Sequence, residues 1–352
     1  MRIDLSRRAL LKVIALGSAS GAIPMLSSTS ALAAAEVVAA TYPGAFEESY
    51  RKILAPYVEK ATGARVTLTP ILALEQVAKI TASRNNPPFD VALLDEGPML
   101  EALPLDIFAP FPADKSKNNS ELGAPFQSKS VGPTVTVQLI GIAYNPKKVS
   151  TPPTSWLDLW KPEFKGRVGL PDIESSLGTV FMVEVAKLKG GDAKNIEPAF
   201  AALKDLLPSV GAIAPNPGAL GTLFQQGQID IAPFYFNNTL LIAAKGVDVA
   251  FTRPESGLVL VRTSMHIVKN TKVPDLALAY IDGAISAEVQ QQLQAAPYYL
   301  VPTNLKAAFS EEVTKVVGGG PDALLKNPIP DWPTINQSRT AWLKEFTALV
   351  RK

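Results

Sequence analysis

The feature that most constrains the fold is an apolar run near the middle of the chain. Residues 137–144 read Val-Gln-Leu-Ile-Gly-Ile-Ala-Tyr and contain no charged side chain. Such a run is typical of a strand that is buried on both faces. A second run, residues 258–267, is similar and contains only two ionisable side chains, Arg262 and His266. Strands of this kind need layers of helix around them, so the sequence predicts an α/β fold.

Strand and helix patterns alternate from the first predicted strand onwards. Residues 36–42 have the pattern of a strand, residues 46–62 that of a helix ended by Gly63, and residues 65–69 that of a second strand. A strand, a helix and a strand in this order predict a right-handed crossover onto a parallel sheet. Ligands meet such sheets at the carboxyl ends of the strands. Tyr42 ends the first strand and is therefore expected to line a cleft.

Length and charge limit the kind of protein. At 352 residues, with 47% hydrophobic and 19% charged side chains, the chain is expected to form two lobes with a sizeable core. The formal net charge is +2, but the first 35 residues hold four basic residues and one acidic residue. The remainder has 30 basic and 31 acidic residues. A nearly neutral chain argues against nucleic acid as a partner.

The N-terminus has the pattern of an export signal. Arg7 and Arg8 precede an apolar run, and residues 31–33 form a small-x-small cleavage site. We therefore predict that residues 1–35 are a signal peptide of the twin-arginine type, cleaved near Ala33, and that the mature protein lies in the periplasm. Glycine, serine and Pro24 interrupt the apolar run, so it is not expected to span a membrane.

Several enzyme classes lack their residues. The chain has no cysteine and one histidine, His266, which excludes a thiolate zinc site and a His-pair metal site. We expect His266 to be a hydrogen-bonded core residue. No Gly-x-Ser-x-Gly elbow and no phosphate-binding glycine loop is present, and no cofactor is expected. Carboxylate-based hydrolysis through Asp95, Glu96, Asp172 and Glu174 stays open as an alternative.

A series of spaced motifs follows the first apolar run. These are Tyr-Asn-Pro at 144–146, Pro-Pro-Thr-Ser-Trp at 152–156, Lys-Gly-Arg-Val at 165–168 and Pro-Asp at 171–172. Their order resembles the substrate-binding proteins of bacterial ABC importers, in the branch that includes the spermidine/putrescine binders and, more distantly, the ferric-ion binders. The resemblance extends over roughly residues 36–350.

The resemblance implies a type II periplasmic binding protein fold, with two doubly wound α/β lobes, a two-strand hinge and a cleft between the lobes. Lobe 1 would comprise residues 36–140 and 264–305, and lobe 2 residues 141–263 and 306–352. A protein of this family would not be an enzyme. It would capture a small polar ligand by hinge closure and deliver it to the membrane permease subunits of an ABC importer, as a monomer.

The predicted ligand-binding residues follow strand ends or match segments of this family. Asp95 and Glu96 lie in a predicted loop after the third predicted strand, residues 89–94, and Ser175 and Ser176 lie in a small-residue loop, residues 175–179, at the head of a helix. Asn237 lies in a predicted loop, residues 237–238, after a strand that begins at residue 229. The complete predicted set is Tyr42, Asp95, Glu96, Ser175, Ser176, Asn216, Tyr235, Asn237, Thr263 and Tyr298.

Three classes of ligand remain open. The family and the two carboxylates of Asp95 and Glu96 favour an amine, which the resemblance implies to be of the polyamine type. Thr263, however, stands where the polyamine binders carry an acid. Ser175 and Ser176 at a helix N-terminus favour a small carboxylate or phosphonate anion. Ferric ion would need a tyrosine pair such as Tyr298 and Tyr299, which lies outside the segment where the ferric-ion binders carry theirs, and it ranks last.

Overall fold

The computed structural model describes residues 35–128 and 130–350. The predicted export signal and its cleavage site near Ala33 fall on residues 1–34 and so lie outside the described residues. Within the described ranges there are nine strands: β1 (Glu36–Thr41), β2 (Arg65–Pro70), β3 (Val91–Asp95), β4 (Thr134–Tyr144), β5 (Val168–Pro171), β6 (Val210–Ala214), β7 (Ile231–Tyr235), β8 (Ala250–Thr252) and β9 (Val259–Ile267).

Thirteen α-helices occur in the same part of the chain. They are α1 (Ala45–Ser49), α2 (Ala55–Thr62), α3 (Ala73–Ala82), α4 (Glu96–Ala102), α5 (Ser176–Leu188), α6 (Glu197–Leu206), α7 (Pro217–Gln225), α8 (Phe236–Ala244), α9 (Pro274–Ala284), α10 (Ala287–Leu293), α11 (Glu311–Val317), α12 (Pro321–Leu324) and α13 (Trp332–Val350). A π-helical turn at Tyr50–Leu54 joins α1 to α2. Short 3-10 turns lie at Leu103–Leu105, Asn119–Glu121, Ala124–Phe126, Trp156–Trp160, Pro162–Phe164 and Leu207–Ser209.

The strands pair in the order β2-β1-β3-β9-β4-β7-β5-β6, with β8 beside β4. β1 is parallel to β2 and β3, and β5 is parallel to β6 and β7, which gives one parallel group on each side. β4 and β9 lie between the groups and are antiparallel to each other, with Leu139 opposite Leu260. The predicted α/β fold with two crossing strands is confirmed.

Each parallel group has its own hydrophobic core. The first core, around β1–β3, includes Val37, Leu93 and Tyr280, and the second, around β5–β7, includes Trp156 and Phe234. Along β4 the side chains change core between residues 139 and 140, whereas along β9 Val259 and Val261 belong to the second core and Leu260, Met265 and Ile267 to the first. We call the elements around the first core lobe 1 and those around the second core lobe 2. The residue boundaries of the lobes remain a proposal.

The chain passes between the lobes a third time near its end. Side chains of α11 and α12 pack in the first core, whereas those of α13 pack in the second. The connecting segment lies against β9, where the Leu260 N–H donates to the Pro328 carbonyl at 2.8 Å. The last helix, α13, buries its apolar side chains Trp342 and Phe346.

Three predicted loops are helical in the structure. The loop predicted after the third strand is wrong because α4 begins at Glu96, and the loop predicted at 175–179 is wrong because α5 begins at Ser176. The loop predicted at 237–238 is wrong because α8 begins at Phe236. Asparagine favours turns, but here the aromatic contacts of Phe236 and the hydrogen bond from Thr239 Oγ1 to the Tyr235 carbonyl, at 2.9 Å, override that preference.

His266 lies in the interior of lobe 1, as predicted. Its side chain has no exposed area, stacks on Phe108 and contacts Ser264 Oγ at 2.8 Å and the Val131 carbonyl at 3.1 Å. Burial lowers the pKa of His266 to about 4, so the imidazole is neutral at neutral pH. Among the helices of the described residues, none is both long and apolar enough to cross a membrane.

Candidate functional site

A cavity of about 340 Å³ lies at the carboxyl ends of the strands of both lobes. From lobe 1 it is lined by residues that follow β1, β2 and β3, and from lobe 2 by residues that follow β5, β6 and β7. Six of the ten predicted ligand-binding residues line it: Tyr42, Asp95, Ser175, Ser176, Asn216 and Tyr235. The structure therefore brings together residues that are up to 193 positions apart, at the place where an α/β sheet binds its ligands.

Asp95, which is 5% exposed, is the most buried of the carboxylates that line the cavity. It ends β3, opposite Thr263 of β9. Its Oδ1 accepts hydrogen bonds from Thr263 Oγ1 and from Gln138 Nε2, each at 2.9 Å. Gln138 lies on β4, so both crossing strands hold this carboxylate in place. Two bonds to one oxygen fix the orientation of the carboxyl group.

Two tyrosines flank Asp95. The Tyr42 hydroxyl accepts a hydrogen bond from the Asp95 backbone N–H at 2.7 Å. Burial, and then the charge of Asp95, raise the pKa of Tyr42 and of Tyr235 well above the usual value for a tyrosine. Both phenols are therefore neutral at physiological pH, and each can donate and accept hydrogen bonds.

The pKa of Asp95 results from opposing effects. Burial raises it, and hydrogen bonds from Ser176, Thr263 and Tyr42 and the charge of Arg339 lower it, with burial the larger influence. The pKa therefore lies above the ordinary value for an aspartate. Acid therefore neutralises the Asp95 carboxylate at a higher pH than it neutralises an exposed aspartate.

The charged residues that line the cavity are of one sign. Three of its lining residues are acidic, namely Glu75, Asp95 and Glu174. Within the part of the chain that the structure describes, no lysine, arginine or histidine lines it. A cavity lined by acidic side chains of this kind attracts positive charge, so the arrangement favours a cationic ligand.

The wall contributed by lobe 2 is built from two helix N-termini. Ser175 caps α5, accepting from the Gly178 N–H at 3.1 Å and donating to the Asp172 carbonyl at 2.7 Å. Asn216 caps α7 by accepting from the Ala219 N–H at 2.9 Å. Gly178 fits closely here, because a Cβ at this position would lie 2.2 Å from the Asp172 carbonyl oxygen. The cap oxygens are thus already used within the protein.

Four predicted ligand-binding residues do not line the cavity. Glu96 pairs with Arg262, which donates from Nε at 2.8 Å, and Tyr298 packs with Ala45 and Leu241 in a small cluster. Thr263 is buried and acts on the site through Asp95. Asn237 is 3% exposed, and its neighbour Asn238 lines the cavity instead. The predicted loop would have presented Asn237, whereas the first turn of α8 presents Asn238.

Several lining residues were not predicted from the sequence. Gln138 gave a usable signal, since it is the one strongly polar side chain in the apolar run at 137–144. Glu174 was considered only for hydrolysis, although it precedes the two predicted serines. The wall formed by residues 70–75 gave no signal in the sequence. The same holds for Asn238 and Pro98.

The cavity has no recognisable metal centre. The described residues contain no group of three or more histidine, cysteine, aspartate or glutamate side chains that could hold a metal ion. The polar atoms around Asp95 are oxygens and one amide nitrogen, contributed by Tyr42, Gln138, Ser176 and Tyr235. Such groups suit an ammonium, which donates hydrogen bonds to oxygen.

Comparison with known proteins gives consistent results. The profile of a family described as bacterial extracellular solute-binding protein matches residues 87–316. The spermidine/putrescine-binding periplasmic protein of Escherichia coli (strain K12) is 31% identical over 190 residues, which cover 52% of this chain and 51% of that protein. The chain thus matches about half the length of this curated relative.

Solved structures agree over most of the described chain. An ABC transporter protein from Clostridium perfringens ATCC 13124 is 28% identical, has a TM-score of 0.68 and covers 89% of this chain and 99% of its own. The binding protein AgtB from A. tumefaciens R10, in complex with agropinic acid, is 21% identical with a TM-score of 0.76, covering 90% and 99%. At that lower identity the likeness shows the fold alone.

Proposed function

The chain belongs to the bacterial extracellular solute-binding protein family, and from this membership we propose that it captures a small organic amine of the polyamine type. Solute-binding proteins bind a ligand without transforming it, so the chain is not an enzyme and carboxylate-based hydrolysis is set aside. The proposal concerns which ligand the cavity takes and how the ligand is passed on.

The observation that carries the proposal is the carboxylate of Asp95 in a cavity lined by acidic but no basic side chains. A primary ammonium placed there would form a charge-assisted hydrogen bond in a desolvated site, which contributes roughly 1.5–3 kcal/mol. An anion of the same size would face Glu75, Asp95 and Glu174 without a lining cation. Electrostatic complementarity therefore supports an amine.

The register of β3 and β9 removes the main objection to an amine. Thr263 stands where the polyamine binders carry an acid, and from the sequence alone this argues against an amine as the ligand. In the structure Asp95 is the cross-strand partner of Thr263 and lies within hydrogen-bond distance of it, at 2.9 Å. A carboxylate is thus available at nearly the same place from the neighbouring strand.

A small anion is the second candidate, because the N-termini of α5 and α7 form part of the wall. Helix N-termini attract negative charge. Against this, Ser175 and Asn216 already use their side-chain oxygens as caps. Ferric ion remains last, since Tyr298 packs in a cluster away from the cavity lining.

We further propose that the mature protein works in the periplasm as a monomer and delivers its ligand to the membrane subunits of an ABC importer. The curated relative is named as a periplasmic protein, and one similar structure is described as an ABC transporter. In this proposal the lobes close around the ligand, and the closed form is recognised by the membrane subunits.

A ligand screen tests the proposal. Thermal unfolding of the protein expressed from residue 36 would be followed with spermidine, putrescine, succinate, methylphosphonate and ferric citrate, and any stabilising compound would then be titrated by calorimetry. We expect stabilisation by spermidine or putrescine and none by the anions. Stabilisation by an anion alone would overturn the amine proposal and favour the second candidate.

A further inference from the structure

The last helix carries a buried arginine directly behind the cavity. Arg339 of α13 is 2% exposed, and its Nη2 donates to the Glu174 carbonyl at 2.7 Å. Its Nη1 lies 3.8 Å from Glu101 Oε1, and the guanidinium carbon lies 5.9 Å from the centre of the Trp332 ring. The guanidinium of Arg339 is thus enclosed between Glu174, which lines the cavity, and α4, which begins next to Asp95.

The neighbours of Arg339 come from both lobes. α13 and Glu174 belong to lobe 2, whereas Glu101 lies on α4, which follows β3. Along α4, Met99 packs against the first core and Leu100 against the second. One turn before Arg339, Asn336 Nδ2 donates to the Gly97 carbonyl at 2.9 Å. Movement of one lobe against the other would therefore change the contacts between α4 and α13.

Arg339 is not fully satisfied in this arrangement. Within the described residues its Nε and Nη1 are buried and have no hydrogen-bond acceptor. Buried donors without a partner are costly, at about 1–3 kcal/mol each. Glu101 is roughly 1 Å beyond the 2.7–2.9 Å that a guanidinium–carboxylate bond prefers. A small displacement of α4 towards α13 would complete this bond.

We propose that Arg339 is a positioning residue that couples ligand capture at Asp95 to contact between the two lobes. The inference rests on the proposed function. In the empty protein Asp95 and Glu101 both attract the guanidinium, and neither bonds to it. When an ammonium binds Asp95, it offsets the negative charge of that carboxylate. Arg339 then bonds to Glu101, and α4 and α13 are held together in the closed form.

The charges around both groups support this coupling. Asp95 is faced by Tyr42, Ser176, Thr263, Gln138 and Tyr235, and Arg339 is the cation that acts on it. Arg339 in turn is faced by Glu101, Asp95, Glu174 and Tyr42. The charge of Arg339 lowers the pKa of Asp95 against the effect of burial. Removing that charge should therefore leave Asp95 protonated at a higher pH.

The experiment uses the absence of cysteine from the chain. Spin labels at Ala82→Cys on α3 and Ala201→Cys on α6, both exposed, report the distance between the lobes. Arg339→Met is compared with Arg262→Met, which breaks the ion pair between Arg262 on β9 and Glu96 on α4 but removes a charge that is not one of the main influences on the pKa of Asp95. Spermidine affinity is measured by calorimetry between pH 4 and pH 8.

With Arg339→Met we expect spermidine to bind about tenfold more weakly, the pH midpoint of binding to move upwards and the distance distribution of the ligand-free protein to broaden. Arg262→Met should keep the pH midpoint of the wild type. The inference is overturned if Arg339→Met changes only thermal stability, since a merely structural residue would move neither the pH midpoint nor the distances.

Two further variants test the role of Arg339 if Arg339→Met does not fold, or if neither spermidine nor putrescine binds. Asp95→Asn neutralises Asp95 without a ligand and should shorten the distance between the labels, and adding Glu101→Gln should abolish that change. An unchanged distance in Asp95→Asn would overturn the inference. Absence of binding by spermidine and putrescine would instead overturn the proposed function, and these ligand-free distances would still decide the role of Arg339.

Discussion

Asp95 is a carboxylate that the crossing strands hold in place at the cavity. Two side chains from the crossing strands, Gln138 and Thr263, bond the same carboxylate oxygen at 2.9 Å. The group is therefore held in one orientation before a ligand arrives, which lowers the entropy lost on binding. The remaining oxygen is expected to contact the ligand.

Replacing Asp95 by asparagine should weaken amine binding by about 10- to 150-fold, because a charge-assisted hydrogen bond of roughly 1.5–3 kcal/mol is lost. Calorimetric titration with spermidine would measure the change. Asp205→Asn removes one negative charge from an exposed position on α6 and serves as the control. Equal affinity in the two variants would contradict a direct role for Asp95.

Wild-type affinity should also depend on pH. Because burial raises the pKa of Asp95, protonation begins at a higher pH than for an ordinary aspartate. Binding of a cation needs the ionised carboxylate, so affinity should be constant near neutral pH and fall as the pH decreases through that raised pKa. Titrations in one buffer of constant ionic strength would show this, and an affinity that rises on acidification would contradict it.

His266 should determine the stability of the fold in mild acid. Its pKa is about 4 in the folded state and 6.5 in the unfolded chain, so between these values only the unfolded chain binds the proton. Stability is therefore complete above pH 6.5 and decreases towards pH 4, by up to about 3 kcal/mol. Urea unfolding at pH 7.5, 6 and 5 would measure the slope. His266→Gln should flatten it, and an unchanged slope in that variant would contradict the assignment.

At the residue scale, the sequence predicted those site residues that terminate strands. Tyr42, Asp95 and Tyr235 were found because the carboxyl ends of strands are recognisable from apolar runs and the turns that follow. Glu96 and Asn237 were placed in loops that are helical, and helix geometry turns them away from the cavity. Residues 70–75 line the cavity through tertiary contact alone, which no local pattern encodes.

At the scale of elements, the contact between α4 and α13 is close. Gly97 lies under Trp332, and a Cβ there would be 2.3 Å from the ring. The helix α4 was not predicted, because two poor helix formers, Gly97 and Pro98, follow its first residue Glu96. It forms since packing against α13 and β9 outweighs that low propensity. Strands and long amphipathic helices, by contrast, were predicted to within a few residues.

Adding a methyl group at Gly97 should loosen this contact. We expect Gly97→Ala to lower the free energy of unfolding by about 1–3 kcal/mol, since the ring of Trp332 must move out of a well-packed position. Guanidinium chloride unfolding would measure it. Gly320→Ala is the matched control, because a Cβ there has no atom within 4 Å. Equal stability of the two variants would contradict the packing argument.

At the scale of the whole molecule, three segments connect the lobes: β4, β9 and the segment before α13. The two crossing strands were predicted from their apolar runs. The third crossing was not, because residues 327–331 read only as a proline-containing connector. Because the sequence does not predict this third crossing, it places residues 306–325 in lobe 2. In the structure, α11 and α12 pack with the first core.

Hinge closure should make the molecule more compact. Small-angle X-ray scattering is expected to show a smaller radius of gyration when spermidine is added to the wild type, because the lobes rotate around the cavity. Adding the same spermidine concentration to Asp95→Asn should not decrease the radius of gyration of that variant below its own ligand-free value. If calorimetry demonstrated binding to the wild type without any compaction, closure of the lobes would be excluded.

The late position of α13 has a consequence for biosynthesis. Trp332, Ile335, Trp342 and Phe346 fill the second core, so lobe 2 cannot bury its apolar surface while the ribosome still holds these residues. Lobe 2 of the nascent chain must therefore remain partly unfolded until α13 has left the ribosome, and during that interval chaperones have access to it.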